Sequence, residues 1–343
     1  MSTTRRTGRR ASLAAAAVSS ALLLAACGGG AGAEPGGDIT LSFSSSQPET
    51  APNVVCGTQL FKDKIEAAGL GITVDLFPGS QLGPDTERVT QIQAGDLDMD
   101  LQEAGISAEF PKLGVLGAAY VFDDVDHAFD WLDNDSAEVF AEFNEATDMT
   151  IVDAWYYGSR TFSSNDPIRS PEDLAGMAVR FPDTPQYLAN AAAMGANPVA
   201  VAYEEIYVAL QQGIAQAQEN PVVGTKAGSY DEVQNYVSLN EHQVSLHYVT
   251  MSDATLERLD DAQRQAVIDT VKEVRAENRE CVERETEEVL EDWRQNGPLQ
   301  VIDRDEVDRQ AFMDRSEAYF ADYYTGEDLE FYNSVRATAG NAS

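Results

Sequence analysis

Apolar residues along the chain alternate between strand and helix spacing. Residues 39–43 (Ile-Thr-Leu-Ser-Phe) alternate and are rich in strand formers, which predicts a strand. Residues 53–68 carry Val54, Leu60, Phe61 and Ile65 at helical spacing. Residues 71–77 read as a second strand closed by Pro78-Gly79, residues 84–94 as a helix, and residues 98–101 as a short third strand. Strand, helix, strand, helix, strand predicts a parallel sheet covered by helices. A helix over residues 126–143 and a strand over 150–157 follow. The alternation then starts again: a helix start at Ser170-Pro171, a strand over 177–181, a helix over 184–194 ended by Gly195, a strand over 199–201, a helix over 204–212 ended by Gly213, and strands over 216–219 and 244–251. Residues 260–293 predict one long polar helix marked by Val267, Val271, Val274, Val282 and Leu290. No Pro or Gly interrupts it before Gly297, and it is long enough to cross two lobes.

The N-terminus sets the compartment. Arg5, Arg6, Arg9 and Arg10 precede an apolar stretch over residues 11–26, too short for a stable membrane anchor, that ends in Leu24-Ala25-Ala26-Cys27. This predicts a secretory signal peptide over residues 1–26. The last four residues resemble a bacterial lipobox, in which Cys27 becomes the lipidated first residue of the mature chain. The glycine-rich residues 27–37 read as a flexible tether. No other apolar run reaches membrane-spanning length, so the expected membrane attachment is the lipid anchor alone. About 315 residues remain, enough for two domains of ordinary size.

The formal net charge is −35, and loss of the four leader arginines, with no acid removed, takes it to −39. Such a chain has no use for nucleic acid or for a basic patch on anionic lipid. Any anion site in it has to be local and shielded from the overall field. Cys56 and Cys281 are the other cysteines. Outside the cytoplasm such a pair suggests a disulfide, with two buried free thiols as the alternative.

Little reads as catalytic. The glycines of residues 28–37 precede the first strand and lack Gly-Lys-Thr, so they form no phosphate loop. There is no Gly-x-Ser-x-Gly elbow. His127, His242 and His247 are too few and scattered for a zinc site, and no metal or cofactor is expected. Carboxylates are so abundant that no Asp/Glu pair singles itself out for acid–base work. Two arginines differ. Arg160 follows the strand predicted over 150–157, and Arg180 lies near the end of the strand over 177–181. Ligands of parallel α/β sheets bind beyond the carboxyl ends of strands, and arginine presents a planar fork that fits a carboxylate. Arg88 and Arg169 read as surface residues; Trp155, Tyr156 and Tyr157 read as core and hinge packing.

The segment Gly176-Met177-Ala178-Val179-Arg180-Phe181-Pro182, followed by Met194-Gly195-Ala196-Asn197-Pro198, carries a family resemblance. So do Glu204-Glu205-Ile206-Tyr207-Val208-Ala209-Leu210-Gln211-Gln212-Gly213 and Gln218-Glu219-Asn220-Pro221. Phe77-Pro78-Gly79-Ser80-Gln81-Leu82-Gly83, Gly95-Asp96-Leu97-Asp98-Met99, Tyr230-Asp231-Glu232-Val233-Gln234 and Asn240-Glu241-His242 add to it. In this order they resemble the solute receptors of tripartite ATP-independent periplasmic (TRAP) transporters, in the dicarboxylate and sialic acid receptor branch, over nearly all of the mature chain.

The resemblance implies an α/β fold of periplasmic-binding-protein type, with two lobes, hinge strands and the long helix spanning both. The expected division is residues 38–155 plus 247–285 for lobe I, 156–246 plus 286–320 for lobe II, and 321–343 for a C-terminal helical segment. The implied function is capture of an organic acid, such as a sugar acid or dicarboxylate, for a TRAP permease in the membrane, with no reaction catalysed. A receptor for an ATP-driven importer is the alternative. Carried over by position, Arg180 forms the bidentate carboxylate bridge, Arg160 is the second arginine, and Asn220 orients the same carboxylate. Glu103 and Asp85 match first-lobe positions that touch ligand hydroxyls, and Tyr203 matches an aromatic position of the second lobe. Asp183 stands where some sialic acid receptors have Asn, which suggests a different polyol.

Overall fold

The computed structural model describes residues 37–339. The expected signal peptide, Cys27 and all of the tether but Gly37 lie outside the described residues. Chain order begins β1 (Ile39–Ser45), a π-helical turn (Val54–Thr58), α1 (Gln59–Ala67), β2 (Ile72–Phe77), α2 (Asp85–Ala94) and β3 (Met99–Gln102). Four helices follow, α3 (Ala104–Glu109), α4 (Pro111–Leu116), α5 (Val125–Asn134) and α6 (Ser136–Ala146), and then the strand β4 (Met149–Ser164). The second unit has β5 (Ala178–Phe181), α7 (Pro185–Met194), β6 (Asn197–Ala200), α8 (Ile206–Gln211), β7 (Ala217–Pro221) and α9 (Val222–Ala227). The chain continues through β8 (Tyr236–Ser252), α10 (Asp253–Arg258), α11 (Asp261–Asn296), β9 (Gln300–Ile302), α12 (Arg309–Tyr323) and α13 (Gly326–Ala337).

All strands share one sheet in the order β2-β1-β3-β8-β4-β7-β5-β6, with β9 paired to β8. β2, β1 and β3 are parallel, as are β7, β5 and β6. Each parallel set is the sheet of one lobe. Between them run β8 and β4, antiparallel, with β3 on the Tyr248–Met251 end of β8 and β7 on the Arg160–Ser164 end of β4. The register of this pair shifts between Tyr156 and Gly158. Gly158 has φ +124°, and a Cβ there would lie 2.7 Å from Pro221, so only glycine fits where the strands cross between the lobes.

The crossing strands are longer than their hydrophobic pattern predicts. The sequence reading ends the first at Tyr157, but β4 runs on through Gly158-Ser159-Arg160-Thr161-Phe162-Ser163-Ser164. That extension is flanked by β8 and β7, and Ser163 and Ser164 are buried, so the alternation that signals a one-sided strand is absent. Arg160 therefore lies inside a central strand and not after it. The helix predicted over 126–143 is two helices. Asn134 Nδ2 and Ser136 Oγ bond back to the carbonyls of Asp130 and Leu132, and the chain turns at Asp135.

Helix α11 begins with a capping box between Asp260 and Gln263 and, at 36 residues, runs about 54 Å at 1.5 Å per residue. Its first half packs Val267, Val271 and Val274 against Leu41, Phe43 and Val74 of the β1 sheet. Its far end packs Trp293 against Val222, Val237 and Leu239. The helix thus buries one face on each lobe. Cys281 on α11 is joined to Cys56 in the π-helical turn, with Cα atoms 6.3 Å apart and 225 residues between them. Serine at both positions is expected to cost about 2–5 kcal/mol of unfolding free energy. Urea denaturation of the double variant beside the wild type measures it, and a loss well under 1 kcal/mol would contradict a stabilising bridge.

Candidate functional site

Both parallel sheets end their strands toward one cavity of about 410 Å³. The loops after β1 and β3 and the start of α2 bring Ser46, Gln47, Glu103 and Asp85 from one lobe. The ends of β5 and β7, with the loops after β5 and β6, bring Arg180, Asp183, Thr184, Tyr203 and Asn220 from the other. β4 contributes Tyr157 and Arg160, and β8 contributes His247. All seven ligand residues expected from the sequence (Arg180, Arg160, Asn220, Glu103, Asp85, Tyr203 and Asp183) therefore line a single space.

The two arginines differ in their surroundings. Arg160 grips Glu219 through Nε and Nη2, the latter 2.9 Å from Oε1, and donates to the Glu219 carbonyl at 2.8 Å and to Asn220 Oδ1 at 3.1 Å. Its Nη1 reaches Glu103 Oε2 at 3.2 Å, and its guanidinium lies over the Tyr187 ring. Burial opposes its charge, but Glu219 and Glu103 outweigh burial and hold its proton well above the usual arginine value. Arg180 is as deeply buried, at 2% exposure. Its Nε donates to the Val201 carbonyl at 2.8 Å, its Nη1 has no partner, and no carboxylate pairs with it among the described residues. Burial, with the like charge of Arg160, pushes its proton affinity down despite Glu219 nearby. Thr184 Oγ1, also on the cavity wall, is buried without a partner. Asn220 is oriented by donating from Nδ2 to Gln218 Oε1 at 2.6 Å, which leaves its second N–H unspent.

The acids of the other lobe also divide. Glu103 receives Arg160, Ser245 and Gln243, with His247 Nε2 at 3.6 Å. Burial opposes its charge, yet Arg160, His247 and Ser245 together push its pKa down to about 2. Its acceptor positions are occupied, and it acts as the counter-ion of Arg160. Asp85 accepts only from Arg88 Nη2, at 3.1 Å, and from the Gly105 amide, which leaves acceptor capacity for a ligand. A Cβ on residue 105 would sit 2.5 Å from Asp85 Oδ2, so the backbone approach requires glycine. Asp183 is exposed at the rim.

Several wall residues escape the sequence reading. Gln47 Oε1 accepts from Tyr157 OH at 2.6 Å and from Tyr203 OH at 2.7 Å, so Tyr157 lines the cavity in addition to packing at the crossing. His247, stacked on Tyr157 and bonded to Asn53 at 2.9 Å, is a wall residue too. Glu219 lies within the recognised Gln-Glu-Asn-Pro run, but its pairing with Arg160 needs the β4–β7 register. Arg88, read from sequence as a surface residue, is fully buried. Arg169 lies at the surface as expected, half-buried beside Glu306.

Two α/β lobes around a shared cavity, with a buried arginine on its wall that has no acidic partner among the described residues, are the makings of a solute-binding protein. The chain belongs to family 7 of the bacterial extracellular solute-binding proteins, whose family model matches residues 43–327. It is similar to the sialic acid-binding periplasmic protein SiaP of Vibrio cholerae, 29% identical over 242 residues that make up 70% of this chain and 75% of that one. It is also similar to the 2,3-diketo-L-gulonate-binding periplasmic protein YiaO of Escherichia coli, 26% identical over 74% of this chain and 77% of the relative. A TRAP periplasmic solute-binding protein from Pseudomonas putida F1, solved with bound D-glucuronate, superposes with a TM-score of 0.81 at 25% identity, covering 88% of this chain and 97% of that one. The resemblance to TRAP receptors and the two-lobed fold expected from it therefore hold, and the protein is a receptor and not an enzyme. None of these relatives favours the ATP-driven alternative. Among the described residues no helix is long and apolar enough to cross a membrane.

Proposed function

We propose that the protein captures a hydroxylated organic monocarboxylate, of the uronate or aldonate kind, and presents it to a TRAP permease. The observation that carries this reading is Arg180, a buried cation on the cavity wall whose Nη1 is free and which has no acidic partner among the described residues. A ligand carboxylate supplies the missing charge and accepts two parallel bonds. Asn220 and Thr184 add neutral donors beside it. Arg160 is already neutralised by Glu219 and Glu103, so a second carboxylate would meet Asp85 and Glu103 and no free cation. Hydroxyls suit that end better, because Asp85 accepts from them. Relatives named for a sugar acid and solved with D-glucuronate support this choice of class.

Lobes split at residues 38–155 plus 247–285 and 156–246 plus 286–320 close on the ligand by bending at the β4–β8 crossing, with residues 321–343 as a C-terminal helical segment. Closure follows from contacts that exist only when both walls meet, such as Gln47 with Tyr203. Lipidation at Cys27 keeps the receptor at the membrane. A thermal-shift screen of the mature protein against uronates, aldonates, dicarboxylates and 2-oxo acids tests the reading. Uronates or aldonates are expected to raise the melting temperature most. A response to dicarboxylates alone, or to none of the acids, would contradict it.

A further inference from the structure

Arg88 lines none of the cavity and is completely buried. From helix α2 it donates to four groups: Asp100 Oδ2 through Nε at 3.0 Å, the Gly83 carbonyl through Nη1 at 2.9 Å, and Ser46 Oγ and Asp85 Oδ1 through Nη2 at 2.9 and 3.1 Å. The four lie on β3, on the loop before α2, after β1, and at the first residue of α2. Ser46 and Asp85 are cavity residues; Asp100 and Gly83 are not. The guanidinium therefore has an anchored side, on Asp100 and Gly83, and a working side, on Ser46 and Asp85. Asp100 is itself fully buried and accepts from Gln102 on the same oxygen, so the anchor has no solvent alternative to Arg88. Asp85 in turn is the one cavity carboxylate of this wall with acceptor capacity to spare, since Glu103 is consumed by Arg160, Ser245 and Gln243.

We propose that Arg88 is the positioning residue for ligand selectivity: it fixes Asp85 and Ser46 as a paired hydroxyl-recognition wall without touching the ligand. The inference rests on the reading above, in which the carboxylate lies on Arg180 and the hydroxylated end faces Asp85. Only a rigid fork serves here. A lysine at 88 keeps the charge but cannot hold an anchor pair and a working pair at once. Wall order then depends on Arg88, whereas the carboxylate end, on β5 and β7, does not.

The test is calorimetric titration of D-glucuronate and of D-lactate, which lacks the polyol end, into wild type, Arg88→Lys and Asp100→Asn. Asp100→Asn leaves Arg88 in place and guards against loss of folding in the lysine variant. The expected result is a fall in D-glucuronate affinity of about ten- to a hundredfold in Arg88→Lys and a smaller fall in Asp100→Asn. Lactate affinity stays the same. An equal fall for both acids would mean a general loss of structure, and no fall for either would mean that the wall orders itself; each overturns the proposal. Ligand-free crystal structures of the same variants give a second readout. They are expected to show the Asp85 carboxylate displaced from Ser46, and an unmoved Asp85 overturns the proposal as well. If wild type binds neither acid, the ligand reading fails while this structural readout still decides the role of Arg88.

Discussion

Arg180→Met is expected to abolish ligand binding while leaving the empty protein as stable as wild type or more so. The methionine fills most of the volume of the arginine stem and removes a buried cation that has no acidic partner. Truncating one side of a buried, hydrogen-bonded charge pair costs about 2–5 kcal/mol of binding, and each 1.4 kcal/mol is about tenfold in affinity. A loss of roughly thirty- to several-thousandfold follows, enough to erase a thermal shift. In the absence of ligand the sign reverses, because burying an uncompensated charge is itself unfavourable. This is the trade of stability for function expected of a binding site kept ready for an anion. Calorimetry and thermal melts of the variant, with and without the best acid from the screen, measure both arms. Retained affinity together with a sharply lowered melting temperature would assign Arg180 to structure and not to the ligand.

Glu219→Ala is expected to shift stability in the opposite direction. The carboxylate is fully buried, takes two bonds from Arg160 and faces His242 Nε2 at 3.3 Å. Burial opposes its charge, yet Arg160 and His242 hold its pKa below the usual carboxylate value. Removing it leaves Arg160 with Glu103 as its only acid, inside the central strand of the sheet. Breaking a buried pair in this way costs about 3–5 kcal/mol. Equilibrium denaturation is expected to show that loss, with weaker ligand binding as well, since Arg160 also orients Asn220. A change below about 1 kcal/mol would mean that the pair only breaks even with its desolvation.

The contrast between these variants shows what the chain discloses before it folds. The parallel β-α units were legible because β1, β2, β3 and β5 are short segments with apolar residues at strand spacing, separated by helical runs. Helix α11 was legible because nothing interrupts it, and its capping box lies at the predicted start. The polar half of β4 was not, since a strand flanked on both edges buries serines through its hydrogen-bonding and loses the alternating signature. The short helices α3 and α4 lack enough turns to display a period. At the site, Arg180 and Asn220 came from recognisable runs, and the cavity contains both. Which arginine is free and which is neutralised depends on Glu219 and Glu103, 59 and 57 residues from Arg160 in sequence. No local pattern encodes that. Arg88 failed for the same reason: one arginine in an acidic helix reads as solvent-facing until β1 and β3 close around it.

The central claim is that one ligand carboxylate neutralises Arg180. The most direct test is calorimetric titration of the tightest acid from the screen beside the same molecule with its carboxylate capped as the amide. The amide keeps every hydroxyl and the shape but removes the charge that Arg180 lacks. The account predicts that the amide binds at least about a hundredfold more weakly to wild type, and that Arg180→Met removes most of that difference. Equal affinity of acid and amide for the wild-type protein would contradict it.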